Sequence, residues 1–111
     1  MKKLLLVGLV LLSGCSESTP EQTASNERNM RISMVQIEIE KLLNDQDSVQ
    51  YDFKGVNLDN NALCFDYRAK NGFGGYVRNK IVVLSDNSVI ESKSGYNKHC
   101  PQSASYEMYS Y

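Results

Sequence analysis

The chain has 111 residues, with 12 Lys and Arg against 13 Asp and Glu and a formal net charge of −1. That length suits one small domain. A slightly acidic chain has little to offer a phosphate backbone in exchange for its counterions, so no nucleic acid is expected among its partners.

The first signal lies at the N-terminus. Lys2 and Lys3 precede an apolar run from Leu4 to Leu12, about half the ~20 residues that a membrane-spanning helix needs. Ser13 and Gly14 are small, and Cys15 follows them. The order resembles the signal peptide of bacterial lipoproteins, with Leu12-Ser13-Gly14-Cys15 as the lipobox. The resemblance implies a diacylglyceryl group on the sulfur of Cys15, cleavage after Gly14 and acylation of the new N-terminus. It also implies that the lipid bilayer is a partner through Cys15, and Ser16 in the next position points to the outer membrane, with the domain facing the periplasm. An uncleaved anchor is the alternative, and it too places the domain outside the cytoplasm. Cys64 and Cys100 are then an even pair in an oxidising space, where a disulfide between them is expected. The division that follows is a signal peptide over 1–14, a lipidated cysteine and polar tether over 15–29, and one domain over 30–111.

Within the tether, Thr19-Pro20-Glu21-Gln22 has the form of a helix start, with Thr19 as N-cap, Pro20 at the first helical position and Gln22 closing a capping box. No apolar face follows at once. From Met30 to Asn44 the spacing of Ile32, Val35, Ile39 and Leu42 predicts one helical face, widened by Leu43. Val35, Ile37 and Ile39 also alternate as a strand would, but the longer period favours a helix. Asn44, Asp45, Asp47 and Ser48 end it.

The remainder predicts an antiparallel sheet. Val49 to Val56 carries Tyr51 and Phe53 in alternation. Asp59-Asn60-Asn61 is a turn. Ala62 to Lys70 places Leu63, Phe65, Tyr67 and Ala69 on one face and Asp66, Arg68 and Lys70 on the other. Asn71 to Gly75 is a loop, Tyr76 to Leu84 a third strand, and Ser85 to Ser88 a turn into Val89–Ser92. Connections this short require antiparallel neighbours. The expected fold is therefore α+β, with one N-terminal helix packed on an antiparallel sheet of about four strands. Ser94 to Ser103 reads as a loop carrying Cys100, and the tail from Ala104 to Tyr111 as a last strand or a cover for the sheet edge.

Little in the chain points to catalysis. The glycine-rich loop lacks the Lys-Ser/Thr of a phosphate-binding loop and joins two strands, so its glycines are expected to supply positive φ in a hairpin. Phe73, between glycines, either folds back on the sheet or is a contact residue at the loop tip. His99 is the single histidine. With Cys64 and Cys100 paired, it keeps no soft co-ligands for zinc, and no nucleophile signature surrounds it. The carboxylates Asp45, Asp47, Asp59 and Asp66 sit in or near turns, without the ligand density of a calcium loop. No cofactor, no metal and no enzymatic activity are expected. Tyrosine is common at contact surfaces. Tyr106, Tyr109 and Tyr111 are therefore candidate partner contacts together with Phe73, or else they cover an open sheet edge.

The stretch Asp45-Gln46-Asp47-Ser48-Val49-Gln50-Tyr51, then Leu63-Cys64, then Ala69-Lys70-Asn71-Gly72-Phe73-Gly74-Gly75-Tyr76 resembles a group of small bacterial and prophage-associated proteins, often lipoproteins. Gln46 stands where proline is usual in that group, and Tyr51 where phenylalanine is usual. The resemblance spans roughly residues 42–84. It implies a shared fold and brings no activity with it. The function expected from these features is a membrane-anchored envelope lipoprotein with a non-enzymatic binding or accessory domain and an envelope protein as partner. The alternatives are a prophage-encoded modifier that blocks a surface receptor, and a small envelope hydrolase acting through His99.

Overall fold

The computed structural model describes residues 19–109; Cys15, Ser16 and Tyr111 lie outside them. Helix α1 spans Pro20–Lys41. A 3-10 turn, Gln46–Ser48, leads to strands β1 (Gln50–Asn57), β2 (Leu63–Lys70), β3 (Tyr76–Val83) and β4 (Val89–Ile90), then helix α2 (Lys93–His99) and strand β5 (Tyr106–Met108). The fold is α+β, with a five-stranded sheet in the order β4-β3-β2-β1-β5. Each neighbouring pair is antiparallel.

The start of α1 follows from its first four residues. The Thr19 hydroxyl accepts from the Gln22 N–H at 3.1 Å, and Gln22 Oε1 accepts from the Thr19 N–H at 3.2 Å. Together they satisfy two backbone donors that a helix start leaves open. The helix therefore begins at Pro20, well before Met30, and residues 20–29 belong to the folded body. It ends at Lys41, with Leu42 as C-cap. Leu42 is 82% exposed, a correction to its expected place on the core face, and Leu43 packs on the core in its stead. Ile32 and Ile39 are buried, and Val35 and Leu43 pack beside them.

The sheet has a helix on each face. On the α1 face, Ile32 and Ile39 close over Val56, Leu63, Phe65, Tyr67, Ile81 and Val83. Lys54 lies under the same helix. Its ammonium donates to Gln36 Oε1 at 2.7 Å and sits 5.0 Å from the centre of the Tyr51 ring, and burial pushes its pKa down. On the opposite face, Ala62, Cys64 and Val82 meet Tyr96 and Cys100 from the α2 segment. Cys64 and Cys100 are joined in a disulfide across 36 residues, with Cα atoms 6.2 Å apart.

Helix α2 replaces the loop expected over Ser94–Ser103. Seven residues including Gly95 are too few to hold a helix alone, so the tertiary setting supplies what the sequence does not. The Ser92 hydroxyl caps the start by accepting from the Gly95 N–H at 3.0 Å. The Asn57 and Asn60 amides donate to the His99 carbonyl at the other end, at 2.9 and 3.1 Å. The disulfide and Tyr96 hold the helix to the sheet. Gly95 permits the close approach, since a Cβ there would stand 2.3 Å from Ile90 Cγ2.

Strand β1 departs from simple alternation. Tyr51 pairs with Tyr67, but Phe53 pairs with Asp66, so Asp52 is a bulge. The bulge sends Tyr51 to the α1 face and Phe53 to the α2 face, where Phe53 meets Tyr106 edge-on at 5.1 Å between ring centres.

The tail docks as β5 on the free edge of β1. Glu107 and Tyr109 turn toward α1. Arg28 donates from Nε and Nη2 to the Glu107 carboxylate at 2.9 and 3.2 Å, Ser25 donates at 3.0 Å, and the Tyr109 hydroxyl donates to it as well. These donors, Arg28 first, pull the Glu107 pKa down to about 2. A carboxylate whose folded pKa is depressed stabilises the fold above its ordinary range near 4.5, and that contribution is lost as pH falls toward 2. Glu107→Gln is therefore expected to lower the urea midpoint at neutral pH. The gap to the native protein should narrow as the titration is repeated down to about pH 2.5. An unchanged gap across that range would remove Glu107 as the acid-sensitive latch of the tail.

Candidate functional site

The far end of the β2–β3 hairpin carries the candidate site. The Lys70–Tyr76 pair closes the ladder, and residues 71–75 form the loop. Asn71 organises the loop from within, its Oδ1 accepting from the Phe73 and Gly75 N–H groups at 2.9 and 3.1 Å. The Asn71 N–H donates to the Gly75 carbonyl at 2.8 Å, and the Gly74 N–H to the Asn71 carbonyl at 3.1 Å. Gly74 takes a φ of +84°, which an L side chain rarely adopts. At the tip of this braced loop, Phe73 is 99% exposed. It does not fold back on the sheet, so a packing role on the sheet is excluded. Leaving a phenylalanine in water forgoes roughly 1.5–3 kcal/mol of burial.

Behind the tip, on the α2 face, cross-strand pairing sets Lys70 beside Tyr76, Arg68 beside Arg78 and Asp66 beside Lys80. The Lys70 ammonium lies 5.8 Å from the Tyr76 ring centre. Two arginines directly opposite would repel, and the bulge supplies the remedy. Asp52 meets Arg68 at 3.1 Å and Arg78 at 3.4 Å. Arg78 also forks onto Asp66 at 3.0 and 3.1 Å, while Lys80 reaches Asp66 at 3.3 Å. Burial pushes the Asp66 pKa up, but bonds from Arg78 and Lys80 outweigh it and hold the carboxyl below its usual range. With Lys70, four cations face two carboxylates, so this open part of the sheet is net positive and continues toward Phe73 and Tyr76.

No family model, curated protein or solved structure matches the chain.

The other sequence candidates lie elsewhere. The tail tyrosines are divided by strand alternation. Tyr106 turns to the α2 face, packs on Phe53 and donates to the Pro101 carbonyl at 2.6 Å. Tyr109 packs against the α1 core and bonds Glu107. Both are half-buried, and as part of the sheet edge they form no common surface with Phe73. His99 ends α2, and its carbonyl accepts from Asn57 and Asn60. Among the described residues, no group of three His, Cys, Asp or Glu side chains could hold a metal ion, and no helix is long and apolar enough to cross a membrane.

Sequence reasoning missed the Asp52–Arg68–Arg78 set. Alternation along β2 did place Asp66, Arg68 and Lys70 together. What it could not supply was the register that sets Arg78 opposite Arg68, or the bulge that turns Asp52 toward both.

Proposed function

We propose that the chain is a lipid-anchored protein of the cell envelope whose folded part is a non-enzymatic binding module, and that it grips an envelope protein through the β2–β3 hairpin tip. The observation that carries this reading is Phe73, fully exposed on a loop that Asn71 braces from inside. A rigid loop loses little entropy on binding, and a protruding aromatic ring is the side chain that fills a partner's pocket most effectively. Lys70, Arg68 and Arg78 behind it fit a partner with acidic groups around that pocket. Anchoring through Cys15 rests on the lipobox resemblance, and the Cys64–Cys100 bond suits the oxidising side of the membrane.

A photo-crosslinking amino acid placed at position 73 in living cells tests the reading, with position 93 on α2 as the exposed control. A discrete adduct from position 73, weakened when Lys70 and Arg68 are both changed to glutamate, is expected. Equal labelling from both positions, or no adduct from 73, would rule out the hairpin tip as the contact surface.

A further inference from the structure

Helix α1 has a second apolar stripe that the fold does not use. Met30, Met34 and Ile37 are 67%, 61% and 56% exposed, on the side opposite Ile32 and Ile39. Extended by one step in each direction, the stripe reads Glu27, Met30, Met34, Ile37, Lys41. The steps are three, four, three and four residues, the spacing of a coiled-coil seam. Both end residues are exposed, and Lys41 meets Glu38 of its own helix at 3.2 Å.

We propose that this stripe pairs with a second copy of the chain, α1 against α1 in antiparallel orientation about a two-fold axis at Met34. In that register Met34 meets Met34 of the other copy, each Met30 meets an Ile37, and each Glu27 meets a Lys41. A two-fold interface must be self-complementary, and this sequence of five positions is so in the antiparallel sense alone. Parallel pairing would set Glu27 on Glu27 and Lys41 on Lys41. The same charges argue against a membrane surface as the occupant, because anionic lipid favours cations along the polar flanks. Here Glu27, Glu38 and Lys41 lie on or beside the stripe, and Arg31, one heptad before Glu38, is turned to the Asn61 and Leu84 carbonyls of its own fold. Beside the seam, Val35, Val83 and Val89 line an apolar hollow of about 520 Å³ that Met34 also borders, which gives the facing methionine room to repack.

The test uses full-length protein in its native membrane, with single cysteines introduced for oxidative crosslinking. Met34→Cys is expected to give a covalent dimer at least about tenfold above a Lys93→Cys control, since the seam brings the two positions face to face. Met30→Cys should crosslink poorly to itself but well to a differently tagged Ile37→Cys chain. In the Met34→Cys background, Glu27→Lys alone and Lys41→Glu alone should each cut dimer yield about tenfold, as two attractive end pairs become repulsive. The double exchange should restore it. Restoration also shows that the single variants fold. Self-crosslinking of Met30→Cys as strong as that of Met34→Cys would overturn the antiparallel register. No excess at position 34 would overturn pairing altogether. Neither result bears on the hairpin tip, because residues 71–75 are no part of the seam.

Discussion

Replacing Cys64 and Cys100 together by alanine is expected to lower stability by roughly 3–4 kcal/mol, the loop-closure entropy for a ring of this size on the chain-entropy model. In a domain this small, that corresponds to a fall in Tm of roughly 15–25 °C. The bond closes 36 residues, a span that contains β3, β4 and α2. Two local effects accompany the entropy. Cys64 is fully buried and Cys100 nearly so, and both belong to the cluster that fixes Tyr96 against Ala62 and Val82. Helix α2 has seven residues, too few to persist undocked, so its helical signal should go before the sheet melts. Intact mass after alkylation, before and after reduction, tests for the bond in the native protein and, in the same spectrum, for the lipid adduct proposed at Cys15. Alkylation of Cys64 and Cys100 without prior reduction would remove both the staple and the compartment argument built on it.

The same substitution at two phenylalanines should give opposite results. Phe65→Ala is expected to cost about 3–5 kcal/mol. Phe65 is fully buried in the α1-side core, with the Tyr51 ring 6.3 Å away. It stands between Leu63 and Tyr67 on β2, which has a strand on each side, so the sheet cannot collapse into the space the ring leaves. Phe73→Ala should leave the urea midpoint unchanged, within about 0.5 kcal/mol, as for a surface change away from packed groups, because its ring is almost wholly in water. If Phe73→Ala instead proves as destabilising as Phe65→Ala, the ring packs on the chain itself and the binding role assigned to the hairpin tip falls.

These contrasts follow how legible each part was. The capping box of α1 and the turn at Asp59-Asn60-Asn61 are local devices, and side-chain chemistry within a few residues decides them. Both stand as read, with Asn61 at a positive φ of 60°. The bounds of strands β1 to β4 follow the turn signals to within a few residues. The disulfide, expected from an even count of cysteines in an oxidising space, is formed. The candidate site was half visible. Phe73 between glycines stood out as an oddity, but two roles fitted it. Asn71 as the brace that favours one of them was not distinguishable from an ordinary loop asparagine.

The sequence by itself determined the α+β class, the antiparallel connections and the apolar face of β2, because period and turn chemistry are local properties of the chain. Only the tertiary structure decided four things. Helix α2 exists because the disulfide, Tyr96 and two asparagine caps hold a segment too short to be helical alone. The bulge at Asp52 depends on pairing with β2, and it sends Tyr51 and Phe53 to opposite faces although their spacing suggests one. The tail became β5 because the edge of β1 offered it backbone partners and Arg28 offered Glu107 a charge. Leu42 stays out of the core because Leu43 takes that place. In the first three cases the deciding partner lies far along the chain or on another element, and no periodicity within the segment itself encodes it.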